Sequence, residues 1–82
     1  MADLEEIRDY LRENHPLFMH STIRKLYDAA RSLKQMPNRG RIGQMPETRE
    51  LVLTPLPYLI VYVVDSETVN IIRILHGAKD RI

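Results

Sequence analysis

Apolar residues keep a helical spacing up to about residue 36 and then, from residue 48, gather into near-continuous runs separated by turn residues. Leu4, Ile7 and Leu11 recur on one face and predict a first helix over about Leu4 to Glu13. Asp3 is placed to cap it, and Glu6 stands three residues on, at capping-box spacing. Asn14-His15-Pro16 stops that helix, since the residue before a proline is pushed out of the helical region and proline suits the first turn of the next. Met19, Ile23, Leu26, Ala30 and Leu33 then mark a narrow seam along a second helix from about Pro16 to Lys34. Two helices joined by so short a break form an antiparallel hairpin that can lay its stripe on a sheet. A stripe at this spacing is first of all a burial signal, so it is assigned to the core and not to a cofactor.

Met36 to Glu47 carries two glycines and two prolines and reads as a surface loop. After it, Thr48 to Gly77 holds three apolar runs divided by the turn-forming tetrapeptides TPLP and DSET, the pattern of an antiparallel β-meander. Tyr58 to Val64 is unbroken apolar sequence, rich in β-branched residues, so both faces of that strand must be covered. Pairing Val64 with Val69 puts Leu59, Val61 and Val63 on one face with Asn70, Ile72 and Ile74. Tyr58, Ile60 and Tyr62 share the other with Ile71, Arg73 and Leu75. The predicted fold is therefore α+β, a single domain over 1–82, with an N-terminal helical hairpin on a three-stranded antiparallel meander. The hairpin covers one sheet face only, so the second calls for a protein partner or a homodimer.

Composition narrows the function classes. Twelve Lys and Arg against eleven Asp and Glu give a formal charge of +1, which argues against a generally basic nucleic-acid coat. The charge is nonetheless polarised, with acids dominating Asp3 to Glu13, a basic Arg39-Gly40-Arg41 turn, and Lys79 and Arg81 in the tail. With no cysteine and three scattered histidines, neither a disulfide nor a structural metal is expected, and no cofactor motif is present. No leader or apolar segment of membrane length is visible, so a soluble cytoplasmic protein is expected.

Taken in order, ADLEEIRDYL, SLKQMP, the GRIG turn, TRELVL, PYLIVYVV and VNIIRILHGAKD resemble the RelE/ParE superfamily of bacterial toxins over nearly the whole chain. Gly-Arg, Arg-Glu-Leu, Tyr-x-x-x-Tyr and Arg-x-x-His-Gly are weak singly and specific in combination. The resemblance implies a toxin, neutralised by an antitoxin that wraps its exposed surface. It also implies a short strand before the first helix, for which Met1 leaves no room; an open sheet edge, or a native start upstream, is then expected.

Two activities compete within that superfamily: ribosome-dependent cleavage of mRNA, as in RelE-like members, and non-hydrolytic poisoning of DNA gyrase, as in ParE-like members. RNA cleavage needs an acid or base and cations for the developing phosphorane charge. His76 is the candidate acid or base, and Arg49, Arg73 and Lys79 are the candidate cations. The resemblance implies an arginine directly after the first tyrosine of the central strand in nuclease members, where this chain has Leu59. Arg73 to Gly77 resembles the ParE-type ending instead. The candidate target- or antitoxin-binding residues are Arg39, Arg41, Arg49, Leu59, Arg73, His76, Lys79 and Arg81. Each has a structural reading beside it: Arg39 and Arg41 flank a glycine turn, and a lone histidine at a strand end satisfies loop carbonyls as readily as it catalyses. The expected sheet orientation has Tyr58, Ile60 and Tyr62 inward, and Leu59, Val61 and Val63 open.

Overall fold

The computed structural model describes residues 2–66 and 68–76. Helix α1 spans Ala2–Asn14 and helix α2 spans Met19–Ser32, with a single 3-10 turn, Pro16–Phe18, between them. The second helix thus begins three residues later than its seam predicts. Proline presets the first turn, but Phe18 N–H bonds back to His15 C=O at 3.0 Å, three residues away, so the entry is wound more tightly than an α-helix. Its end tightens in the same way, through Leu33 N–H to Ala30 C=O and Lys34 N–H to Arg31 C=O.

Four strands follow, β1 (Arg41–Ile42), β2 (Arg49–Val52), β3 (Tyr58–Asp65) and β4 (Thr68–His76), in the order β1-β2-β3-β4 with every neighbour antiparallel. The expected three-stranded meander is therefore short by one strand. Arg41 pairs with Glu50 and Ile42 with Arg49, and Gly43 N–H bonds Thr48 C=O at 2.8 Å to close the hairpin. Two residues are too few to show a period-two alternation, so this strand lies hidden in a loop-like sequence.

The β3/β4 register starts as expected, with Val64 opposite Val69 and Tyr62 opposite Ile71. A bulge then intervenes: Val61 faces Arg73, Ile60 faces Ile74 and Leu59 faces Leu75. The extra residue carries Ile74 to the helix-facing side and turns Arg73 away from it, which reverses the faces expected for residues 73–75. Without the bulge a guanidinium would enter the apolar layer, where an unmatched charge is costly.

Leu26 and Leu33 from the helical side meet Leu51, Tyr58, Ile60, Tyr62 and Ile74 from the sheet. The expected orientation holds in this respect, with Tyr58, Ile60 and Tyr62 under the hairpin. Leu59 and Val61 on the opposite face are nevertheless not open, at 4% and 6% exposure, and Val63 is half-buried. They occupy the middle of three strands, so each has a side-chain neighbour on both sides: Val52 and Leu75 flank Leu59, and Glu50 and Arg73 flank Val61. Among the described residues, no helix is long and apolar enough to cross a membrane.

Candidate functional site

The predicted site residues separate into two groups. Arg39, Arg41 and Arg49 surround the loop that leads into β1. Arg49 Nη1 donates to Gly40 C=O at 2.7 Å and to Asn38 C=O at 3.5 Å, and Arg39 Nη1 donates to Ser32 Oγ at 2.7 Å. Arg41 pairs with Glu50 at 3.1 Å, and the buried Glu50 carboxylate also accepts from Gln44 N–H at 3.3 Å. One further contributor here was not singled out as a site residue from the sequence. The hydroxyl of Tyr62, a fully buried side chain, accepts from Gly40 N–H at 2.8 Å and donates to Pro37 C=O at 2.7 Å. Gly40 must be glycine because a Cβ there would stand 2.7 Å from the Tyr62 hydroxyl and 2.9 Å from the Glu50 carbonyl oxygen. The one hint in the sequence is that an inward position of an apolar strand is tyrosine where phenylalanine would pack as well.

Arg73 and His76 form the second group, at the β4 end of the sheet. They line a cavity of about 320 Å³ with Asp3, Glu6, Tyr10 and Tyr58. His76 is paired with Tyr58 across the ladder, and their rings meet edge to face with centroids 5.6 Å apart. Burial, with Tyr10 nearby, pushes the Tyr58 hydroxyl above its usual range. Asp3 does not cap α1 as expected, since the helix already includes Ala2. Its carboxylate instead accepts from Arg73 Nε at 2.8 Å and from Ile74 N–H at 3.0 Å, tying the start of α1 to β4. Lys79 and Arg81 lie outside the described residues.

The Arg73 hydrogen bond is the main cause of a lowered Asp3 pKa, with Ile74 N–H helping against the opposing effect of burial. The sign follows. A carboxylate depressed in the folded state contributes stability above its ordinary value of 3.8 and loses it as pH falls through the folded value. Arg73 is more than half exposed, so solvent weakens the pair and Asp3→Asn is expected to cost only about 1 kcal/mol at neutral pH. Urea midpoints for both proteins should converge once the pH falls below the folded-state value and the carboxyl is protonated in both states; a difference that persists there would assign the effect to packing.

Leu59 lies on the sheet face opposite His76. Residues directly across a ladder share a face, so His76 goes with Tyr58, while Leu59, the next residue on β3, points the other way. The position at which the resemblance puts a nuclease arginine and the candidate acid or base therefore do not converge on one side of the sheet. No group of three or more His, Cys, Asp or Glu side chains suited to a metal occurs among the described residues.

The sequence matches, over residues 1–81, the family described as ParE toxin of type II toxin-antitoxin system, parDE. The chain belongs to that family. Toxin RelE2 of Caulobacter vibrioides is 43% identical over 79 residues, covering 96% of this chain and 88% of the relative. Putative toxin Y4kP of Sinorhizobium fredii is 34% identical over 74 residues, covering 90% and 76%. A solved structure described as the chromosomal ParDE TA system from P. aeruginosa superposes with a TM-score of 0.79 at 27% identity, covering 92% of this chain and 84% of that one. The ParE-family protein is accordingly a toxin of the type II toxin–antitoxin class, with the α+β architecture of a ParDE component.

Proposed function

We propose that this ParE-family toxin acts in the cytoplasm by binding and inhibiting DNA gyrase, without hydrolysis, and is held inactive by a cognate antitoxin. The observation that carries this reading is the separation just described. An RNA-cleaving site needs its cations and its acid or base around one scissile phosphate. Here Leu59 replaces the arginine and faces away from His76, while Arg73, which lines a cavity with His76, holds Asp3 at 2.8 Å. The ParDE neighbour supports the antitoxin.

Expression without antitoxin is expected to arrest growth with induction of the DNA-damage response and intact cellular mRNA, and co-expression of the adjacent antitoxin should restore growth. His76→Ala should stay toxic, because the histidine is assigned no chemistry. Growth arrest with mRNA cut on translating ribosomes, and cutting abolished by His76→Ala, would replace this reading with the RelE-like one. Absence of any toxicity would assign the chain to inactive relatives kept as binding modules.

A further inference from the structure

A cavity of about 840 Å³ between the helices is lined by Arg8, Arg12, Arg24 and Arg31 and by no acid. The cavity of about 320 Å³ at the β4 end has the opposite character. One face of α1 forms its first wall, since Asp3, Glu6, Ile7 and Tyr10 stand at spacings that project together from a helix. Tyr58 of β3 and Arg73, Ile74 and His76 of β4 form the other. Asp3 and Arg73 hold one another at 2.8 Å, so their charges offset. Glu6 is left. Its carboxylate makes no ion pair and no hydrogen bond among the described residues, not even the capping bond that its spacing from Asp3 suggests.

The second unmatched group lies deeper. Tyr58 is 6% exposed, and its hydroxyl makes no hydrogen bond among the described residues. No fully buried side-chain oxygen there lacks a partner, so the hydroxyl is the part of this ring that the cavity opens to solvent. Tyr62, equally deep, spends its hydroxyl on the Gly40 loop. A hydroxyl kept at a buried position with no protein partner is placed to meet a ligand.

The lining decides which ligand. A carboxylate and a phenolic oxygen both accept hydrogen bonds, and Ile7, Ile74 and the Tyr10 ring give an apolar and aromatic surface beside them. A cation with several N–H donors on an aliphatic stem uses all of these. An anion would depend on Arg73, whose Nε is given to Asp3, and would face Glu6. Small-molecule sites run to about 300–1,000 Å³, so this cavity, at the lower limit, suits one long side chain better than a nucleotide.

We infer that the cleft between the start of α1 and the end of β4 binds a guanidinium or alkylammonium group, the end of an arginine or lysine side chain presented by a bound protein. Glu6 carries the opposing charge, the Tyr58 hydroxyl accepts an N–H, and the stem lies along Ile7 and Ile74. Glu6 and Tyr58 have this role whichever target the toxin acts on.

The probe is Nα-acetyl-arginine methylamide, titrated into isotope-labelled toxin beside its uncharged citrulline counterpart and inorganic phosphate, with backbone amide shifts as the readout. The arginine compound should move the amides of Glu6, Ile7 and Ile74 with a Kd on the order of 1 mM, and the citrulline compound should bind about 10-fold more weakly or less. Glu6→Gln should weaken arginine binding about 10-fold and Tyr58→Phe about 3-fold, whereas Glu5→Gln, the same change at an exposed α1 position outside the lining, should alter it by less than about 2-fold. Unchanged melting temperatures would show that the variants fold. Equal binding of the arginine and citrulline compounds, equal binding by Glu6→Gln, or no shifts at about 10 mM would overturn the site. Shifts at the same amides with phosphate and none with arginine would give the cleft to an anion on Arg73 and overturn it equally. Antitoxin affinity and gyrase inhibition by Glu6→Gln then identify the source of the side chain: a loss of about 10-fold in one of them supports that protein. Both unchanged, with arginine binding lost, would overturn presentation by either protein.

Discussion

Leu26→Ala will lower the folding stability of this domain by about 3 kcal/mol and its melting temperature by about 15 °C. Leu26 is 2% exposed and sits where α2 presses on the sheet, in the cluster with Ile60 and Tyr62. Removing three carbons there loses both the transfer of apolar surface from water and the close packing around it. The surrounding residues belong to regular elements that cannot collapse far into the gap. A domain of this size holds only about 4–12 kcal/mol in total, so the variant gives up a large share. Lys25→Ala, next to it and exposed, should change stability by no more than about 0.5 kcal/mol. Urea denaturation of the two variants checks the contrast, and equal midpoints would remove Leu26 from the core.

Tyr62→Phe is expected to cost about 2 kcal/mol although it deletes one oxygen and keeps the ring. That oxygen is the common partner of Gly40 N–H and Pro37 C=O. Both backbone groups would lose it together beneath a loop that packs too closely to admit a side chain at Gly40. The loss should be local as well as global: amide exchange at Gly40 should quicken more than exchange within α1. Gly40→Ala attacks the same contact from the other side, because its Cβ meets the hydroxyl and backbone atoms at once. A Tyr62→Phe protein as stable as the native one, with Gly40 exchange unchanged, would mean that water or another group replaces the hydroxyl at no cost.

The helical seam and the strand composition were legible because burial imposes a period, and the residues with that period, Leu26, Leu33, Ile60 and Tyr62, form the interior. The break at Pro16 and the pairing of Val64 with Val69 followed from local backbone chemistry in the same way. The bulge did not follow, because Ile71 and Ile72 are equally apolar and either can face Tyr62 or Val61 without altering the composition of a face. Its consequence, the turning of Arg73 toward Asp3, depends on two residues far apart in the chain. Strand β1 was hidden by its length. The basic lining of the cavity between the helices was hidden differently: Arg8 and Arg12 read as the solvated face of one helix, Arg24 and Arg31 as that of another, and they come together only in the folded chain. Leu59 carried its information through family resemblance alone, and the structure added that it lies on the side of the sheet away from His76.

Toxicity by binding and toxicity by RNA cleavage are separated with purified components. Native toxin and His76→Ala are each added to a gyrase supercoiling assay and to a translating-ribosome reaction whose mRNA is followed by primer extension. Both proteins are expected to inhibit supercoiling, antitoxin to relieve the inhibition, and the mRNA to stay intact. Cleaved mRNA with the native toxin, intact mRNA with His76→Ala and unimpaired supercoiling with both would contradict toxicity by binding.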